Sequence, residues 1–536
     1  MRPSFSATAV SLLLLSLATV LVKAQEAAPA NVSSDIKAIM DKPLYKGAIW
    51  GLRVVDVDTG QTLVDLEPHH QFFIGSVRKV FTTGELIDQI GPNHTFNTPV
   101  YRRGPINKRG VLWGDLILVA SGDLTMGGRT NPDGTVAFTN YDHNEADSLE
   151  NAELTKPDPL AGYAALAHQI AASGIKEITG DVAIDDRLFQ PYFFRKDFDV
   201  RPIFVNDDVV DVIINPRDVG DHALVTHRPA SAALAVDNDL LMKPAGSDLS
   251  ISVPKPTCIG TPACTATIAG DLPVGFVPPL TGQYPLIRTF RITDPSSYAR
   301  TILIEKLRAA GVKVDAPTVE PNPTRLLPAK NCYERKMRVA ELHGLPYAQD
   351  MKFINKVSYN IGADTSLLLY GLTQGANNMT AALAAEKKNL QTHYGVAPSE
   401  YSFVDGSGGE ETTAINRAVT QMLTDMRSHS AFPEYFASLP IMAVDGSLGF
   451  VTDFEKDKTL APAKGHVHAK PGSFVAETAD GPFIRGQAFG GYIHAKSGKH
   501  LVYQLVVNNV PFTGISDLLQ IFQDEGTVSA MLWRDN

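Results

Sequence analysis

Ser76-Val77-Arg78-Lys79 sets a hydroxyl three residues before an ammonium, a spacing that places both on one side of a helix, one turn apart. A serine is a weak nucleophile until a base takes its proton, and a lysine near a helix N-terminus and other cations gives up its own proton more readily, so the pair suits acyl transfer. The helix dipole favours negative charge at Ser76. Ser358-Tyr359-Asn360 offers a second hydroxyl that can relay a proton to a leaving amine, and an amide that can hold both the lysine and a substrate carbonyl. Lys470-Pro471-Gly472-Ser473 ends a strand-like run. Its cation can anchor a substrate carboxylate or tune Ser358, Gly472 lets a substrate approach the strand edge, and the N–H groups of Ser473 and Ser76 can form an oxyanion hole. Each stretch alone fits an ordinary capped helix or turn. Their order along the chain gives them weight together.

The elements around these stretches suggest how they meet. Ala48 to Gly60 followed by Gln61 to Leu66 reads as a β-hairpin, and Ser76 to Ile90, closed by Gly91-Pro92, reads as a helix that opens with the reactive pair. Ser358 falls on a turn between helices. Helices are also expected at Ser366 to Leu372 and Ile415 to Arg427, strands at His466 to Lys470, Gly486 to His494 and Leu501 to Asn508, and a last helix from Ile515 to Leu532. Between about residues 100 and 340 the texture changes to short apolar runs broken by Gly, Pro, Asp and Asn, with helices only at Leu160 to Ala172 and Ser297 to Ala310. The expected fold is α+β, an antiparallel sheet flanked by helices and assembled from both ends of the chain. Residues 25–99 and 345–536 would form this domain, and 100–212 and 213–344 would be two β-rich insertions.

The 536 residues are 44% hydrophobic, enough for a large core and more than one domain, and the net charge of -10 argues against nucleic acid and anionic membrane surfaces as partners. Arg2, an apolar run from Ala7 to Val22, and Val22-Lys23-Ala24 read as a secretory signal over 1–24, cleaved after Ala24; the run is shorter than the ~20 residues of a spanning anchor. Export makes a disulfide possible, and Cys258 and Cys264 enclose a turn-forming loop that suits one, leaving Cys332 as a buried small apolar residue. No Cys/His spacing resembles a zinc site, so no metal is expected. His466 and His468 alternate on a strand and are expected to share one solvated face, while Asp207, Asp208 and Asp211 read as a solvated acidic loop. Asn31, Asn93 and Asn378 head glycosylation-type tripeptides, to which no role is assigned.

The order S-x-x-K, S-x-N, K-x-G, with its long first interval, resembles the class C low-molecular-mass penicillin-binding proteins, the D-alanyl-D-alanine carboxypeptidase/endopeptidase group. Further similar stretches are Gly114 to Asp123, Gly180 to Asp186, Val236 to Asp239, Asp294 to Tyr298, Asp405 to Gly408 and Val444 to Ser447, so the likeness spans nearly all of the mature chain. The resemblance implies a penicillin-binding/β-lactamase-like serine transpeptidase domain and an acyl-enzyme on Ser76, formed from peptidoglycan stem peptides ending in D-Ala-D-Ala. Lys79 would be the base, Ser358 and Lys470 would pass a proton to the leaving amine, and Asn360 would position substrate and Lys79. The Ser76 and Ser473 amides would hold the oxyanion, Pro471, Gly472 and Ser473 would line the substrate strand, and no cofactor would be needed. β-Lactams would acylate Ser76 as inhibitors. This group often associates through its catalytic domains, so a homo-oligomer is an expectation of the same kind.

Some positions depart from the family pattern. Pro471 stands where the family has Thr, whose hydroxyl would contact the substrate carboxylate. Gly75 and Arg78 stand where Ala and Asn are usual, and Gly409 where Leu is usual. Two alternatives are a peptidoglycan-binding protein impaired at Pro471, and an esterase or β-lactam hydrolase on the same fold.

Overall fold

The computed structural model describes residues 32–536 apart from 147–148, 196–197, 255, 279, 410 and 479–480. The signal segment read at 1–24, with its cleavage after Ala24, lies outside the described residues. No helix among them is long and apolar enough to cross a membrane.

A five-stranded antiparallel sheet organises the part that carries the three motifs. Its strands are β1 (Ile49–Asp56), β2 (Gln61–Leu66), β3 (Val467–Thr478), β4 (Gly481–His494) and β5 (His500–Pro511), in the spatial order β2-β1-β5-β4-β3. The Asp56 carboxylate accepts the amides of Asp58 and Thr59 at 3.1 and 3.3 Å and closes the β1–β2 turn. Strand alternation then sorts the two faces. On β5, Leu501, Tyr503, Leu505 and Val507 join one buried cluster with the C-terminal helix, whereas Val502 and Val506 join another with the helices of the opposite layer. Those helices are α1 (Lys79–Ile90), α2 (Tyr347–Val357), α3 (Asn360–Thr373), α4 (Met379–Thr392) and α5 (Asn416–Met426), with α6 (Ile515–Asp535) on the other side of the sheet.

β3 runs past Lys470 to Thr478, beyond the five residues expected, because Pro471-Gly472 continues the strand and makes no turn there. Pro471 pairs with Phe489. β3 is the sheet edge, where a missing N–H costs no second ladder. The reactive helix also differs from expectation. It begins as a tight 3-10 turn, Gly75–Arg78, before α1 takes over at Lys79.

The inserted segments build smaller sheets. Thr98–Arg103 pairs with Asp115–Val119 and, from the far end of the insertion, with Arg338–Leu342. Val209–Asn215 crosses position 212 as one strand between Leu224–Arg228 and Leu286–Arg291. Cys258 and Cys264 are joined by a disulfide, with Cα atoms 5.3 Å apart. Cys332 is exposed, contrary to the burial expected of it. It lies in the irregular stretch between Thr324–Leu326 and Arg335–Met337, which contributes no buried residue.

Candidate active site

The 3-10 turn explains why Ser76 and Lys79 meet. Side chains three apart eclipse one another at three residues per turn. Lys79 is fully buried, and its Nζ lies 2.7 Å from Ser76 Oγ, 2.7 Å from Asn360 Oδ1 and 2.8 Å from the Ser407 carbonyl. Gly75 holds φ at +50°, and a Cβ there would stand 3.0 Å from the Ser473 nitrogen. The nucleophile turn is thus pressed against β3.

The Ser407 carbonyl belongs to a loop whose geometry is set by one carboxylate. Asp405 Oδ1 accepts the amides of Ser407, Gly408 and Gly409 at 3.0, 2.7 and 3.0 Å. Gly408 sits at φ +103°, and a Cβ there would fall 2.1 Å from the Gly75 carbonyl, so the loop touches the nucleophile turn backbone to backbone. Arg78, wholly buried, fixes the same loop. It donates to the Asp405 carbonyl at 3.0 Å, pairs with Glu386 at 2.6 Å and lies 4.1 Å over the Phe403 ring. Behind the loop, Asp364 Oδ1 accepts the Gly406 amide at 2.8 Å, and burial with the nearby Asp405 charge pushes its carboxyl up to about 8.

Ser358 caps the end of α2 in the left-handed region, φ 64° and ψ 34°, with its N–H on the Ile354 carbonyl. A non-glycine residue held there stores strain that its surroundings must sustain. α3 then starts at Asn360, which turns the amide toward Lys79. Facing this corner, Lys470 Nζ lies 2.9 Å from Ser358 Oγ and 2.8 Å from the Pro471 carbonyl. Lys470 is fully buried. Gly472 is required by closeness: a Cβ would fall 2.2 Å from the Ile74 carbonyl and 2.7 Å from the Ser76 nitrogen. The structure therefore brings together Ser76, Lys79, Ser358, Asn360 and Lys470, and sets the backbone of Gly472 and Ser473 against that of Ser76.

The insertion reaches this place twice. Arg195, at the turn between Tyr192–Phe194 and Phe198–Val200, has Nη2 3.2 Å from Ser407 Oγ. The other contact passes through Asp207, Asp208 and Asp211, which are buried, not the solvated acidic loop expected from their clustering. Three cations compensate Asp207 and Asp211. Arg129 donates to Asp207 and Asp142 at 2.7 and 2.8 Å, His143 bridges Asp207 and Asp211 at 2.7 and 2.6 Å, and Arg228 reaches Asp211 at 3.2 Å. Burial opposes charge on His143, but the Asp211 and Asp207 carboxylates outweigh it and push the imidazole up to about 10. Burial, with the neighbouring Asp207 charge, pushes the Asp208 carboxyl well above the carboxylate range. Arg129 also lies 4.0 Å over Phe353 of α2, whose ring packs 4.9 Å from Tyr359, the buried middle residue of the second motif.

The shared solvated face expected of His466 and His468 is also corrected. His466 is exposed, but His468 is half-buried and stacks 4.1 Å from Phe436. Burial and the neighbouring Lys356 lower its imidazole to about 4.

A model of the D-Ala-D-Ala carboxypeptidase 3 (S13) family matches residues 32–523. The chain belongs to this S13 family. A D-alanyl-D-alanine carboxypeptidase of Actinomadura sp. (strain R39) is 26% identical over 318 residues, which are 56% of this chain and 51% of that protein. The chain thus spans about half the length of that curated relative. Among solved structures, penicillin binding protein 4 of Haemophilus influenzae superposes with a TM-score of 0.68 at 16% identity, over 94% of this chain and 100% of that one. The same protein complexed with a novel β-lactam gives a TM-score of 0.66 at 17% identity, with the same coverage. These likenesses show the fold, the α+β penicillin-binding architecture with added β-rich domains.

Within this S13 fold, sequence reasoning missed the side chains that support the lysine. Asp405 and Ser407 were visible only as a family-like stretch, Asp405 to Gly408. Arg78 showed only as a departure from the usual Asn. Arg195 carried no signal, because a lone arginine in a β-rich insertion gains meaning only from where the hairpin tip lands.

Proposed function

We propose that this chain is a serine-type D-Ala-D-Ala carboxypeptidase/endopeptidase that cleaves peptidoglycan stem peptides through an acyl-enzyme on Ser76 and binds β-lactams at the same serine. One observation carries the reading: the Lys79 amine touches Ser76 Oγ while two fixed acceptors, Asn360 Oδ1 and the Ser407 carbonyl, hold it. A neutral amine has two N–H donors and one lone pair. As an ammonium Lys79 donates to all three acceptors; once it is neutral, two donors can stay on Asn360 Oδ1 and the Ser407 carbonyl while the lone pair turns to the Ser76 hydroxyl.

In the proposed reaction Lys79 takes the Ser76 proton as Oγ attacks the carbonyl of the penultimate D-alanine, and the oxyanion rests on the N–H groups of Ser76 and Ser473. Collapse breaks the C–N bond. The proton reaches the leaving amine through Ser358, whose hydroxyl Lys470 holds at 2.9 Å. Water, deprotonated by Lys79, then attacks the acyl carbonyl; the ester bond to Ser76 Oγ breaks, the proton returns from Lys79 to Oγ, and the acid product leaves. Residues 25–99 and 345–536 supply all of these groups, and the insertions shape the cleft above them. The family setting and the leader-like first residues support export to the compartment that holds peptidoglycan.

Intact mass of the signal-free protein before and after excess benzylpenicillin, beside a Ser76→Ala control, tests this. A stable gain of one penicillin that the variant lacks, followed by D-alanine release from a muropeptide, is the expected result. Rapid turnover of a chromogenic cephalosporin in place of a stable adduct would indicate a β-lactam hydrolase. Binding of sacculi with neither adduct nor D-alanine release would overturn the catalytic reading.

A further inference from the structure

We propose that Asp88, His393 and His429 form a surface Zn²⁺ site that clips together three helices of the layer carrying the nucleophile. Asp88 lies in the last turn of α1, His393 caps α4, and His429 follows the end of α5. One ligand atom from each falls within 4.8 Å of the others. The Asp88 carboxylate contacts both rings, Oδ1 at 2.5 Å from His429 Nδ1 and Oδ2 at 3.5 Å from His393 Nε2.

Zinc takes imidazole nitrogen and carboxylate oxygen at ~2.0–2.2 Å in a tetrahedral arrangement, so three such ligands and a water complete a site once the 2.5 Å Asp88–His429 pair opens by about 1 Å and His393 moves inward. His393 is free to make that movement, its side chain being 53% exposed. The surrounding contacts already orient the ligands. His429 Nε2 lies 3.1 Å from Asp425 Oδ2, the carboxylate–histidine pairing that fixes a ligand ring and raises its basicity. The Tyr394 hydroxyl donates to Asp88 Oδ2 at 3.3 Å, and its ring lies parallel to that of His429 at 5.5 Å. On binding, Zn²⁺ replaces the proton shared by Asp88 Oδ1 and His429 Nδ1, and that proton leaves to solvent.

The other ligand-like group among the described residues, Asp142, His143 and Asp207, does not suit an ion, because Arg129 already lies against both carboxylates. Asp88 stands nine residues beyond Lys79 on one helix, ~13 Å along its axis. The bound ion is therefore a structural clip and takes no part in the acyl-transfer step.

Isothermal titration of the EDTA-stripped full mature chain with zinc sulfate near neutral pH tests the site. One Zn²⁺ per chain and a rise in the thermal midpoint are expected. His393→Ala should weaken binding at least tenfold, and Asp425→Asn about tenfold, as loss of such an outer partner does. His393→Ala should still acylate with benzylpenicillin at the parent rate, which checks its fold. Absence of one-site binding in the parent chain would overturn the proposal. So would undiminished binding by His393→Ala, which would place the zinc on other surface histidines such as His69.

Discussion

Asn360 Oδ1 lies 2.7 Å from Lys79 Nζ across 281 residues of sequence, so the first and second motifs share one hydrogen bond at the amine. Replacing this acceptor with a carboxylate, Asn360→Asp, should hold Lys79 as an ammonium and slow acylation by benzylpenicillin about 100-fold near neutral pH, within the range of general-base catalysis. The defect should shrink as pH rises, since alkali frees the amine. Asn360→Ala should be slowed with no such recovery. Stopped-flow acylation across pH separates the two.

Pro471 supplies no hydroxyl to a substrate carboxylate beside Lys470. Pro471→Thr should raise kcat/KM for D-alanine release from a pentapeptide about tenfold, since a hydrogen bond to a charged group contributes ~1.5–3 kcal/mol. The gain should appear chiefly in KM. A fall in both constants would mean that the strand edge is shaped around the proline.

The buried Arg129–His143–aspartate network should dominate the stability of the insertion. Arg129→Ala leaves Asp142 and Asp207 without their main cation and should cost about 3–5 kcal/mol in urea unfolding. His143 adds a pH dependence. Its folded-state value, about 10, lies above the ordinary 6.5, so its contribution is complete below pH 6.5 and is lost as pH rises through 10. His143→Gln should flatten that alkaline decline. An unchanged slope in the variant would assign the decline to other groups.

Asp405 holds three backbone amides on one oxygen. Asp405→Ala should destabilise the protein by about 3 kcal/mol, because buried donors lose their acceptor. It should also slow acylation, because the Ser407 carbonyl would no longer be fixed against Lys79. Asp405→Asn keeps an acceptor oxygen and should retain most of the activity. Parallel urea unfolding and acylation kinetics check both effects.

Arg195 is exposed and donates to Ser407 Oγ. Arg195→Ala should change stability by less than about 0.5 kcal/mol. With a stem peptide rich in carboxylates it should lower kcat/KM several-fold, and the loss should fade as salt rises.

The residue types and their order were enough to indicate the chemistry. A hydroxyl and an amine three apart, a Ser-Tyr-Asn turn and a lysine on a strand can each be read locally, because helix and strand periodicity fix which side chains share a side. The same periodicity revealed the hairpin, the late strands and the C-terminal helix. Tertiary structure decided what periodicity does not encode. Whether Asp207 and Asp211 face water or a core depends on Arg129, His143 and Arg228, which arrive from distant segments. That Pro471 continues a strand follows from β3 being the edge strand of its sheet. The lysine's third contact comes from the Ser407 carbonyl, which any residue could supply, so no side-chain pattern marks it. Spacing along the chain limits which groups are near neighbours; burial and charge compensation between far segments are set only when the chain packs.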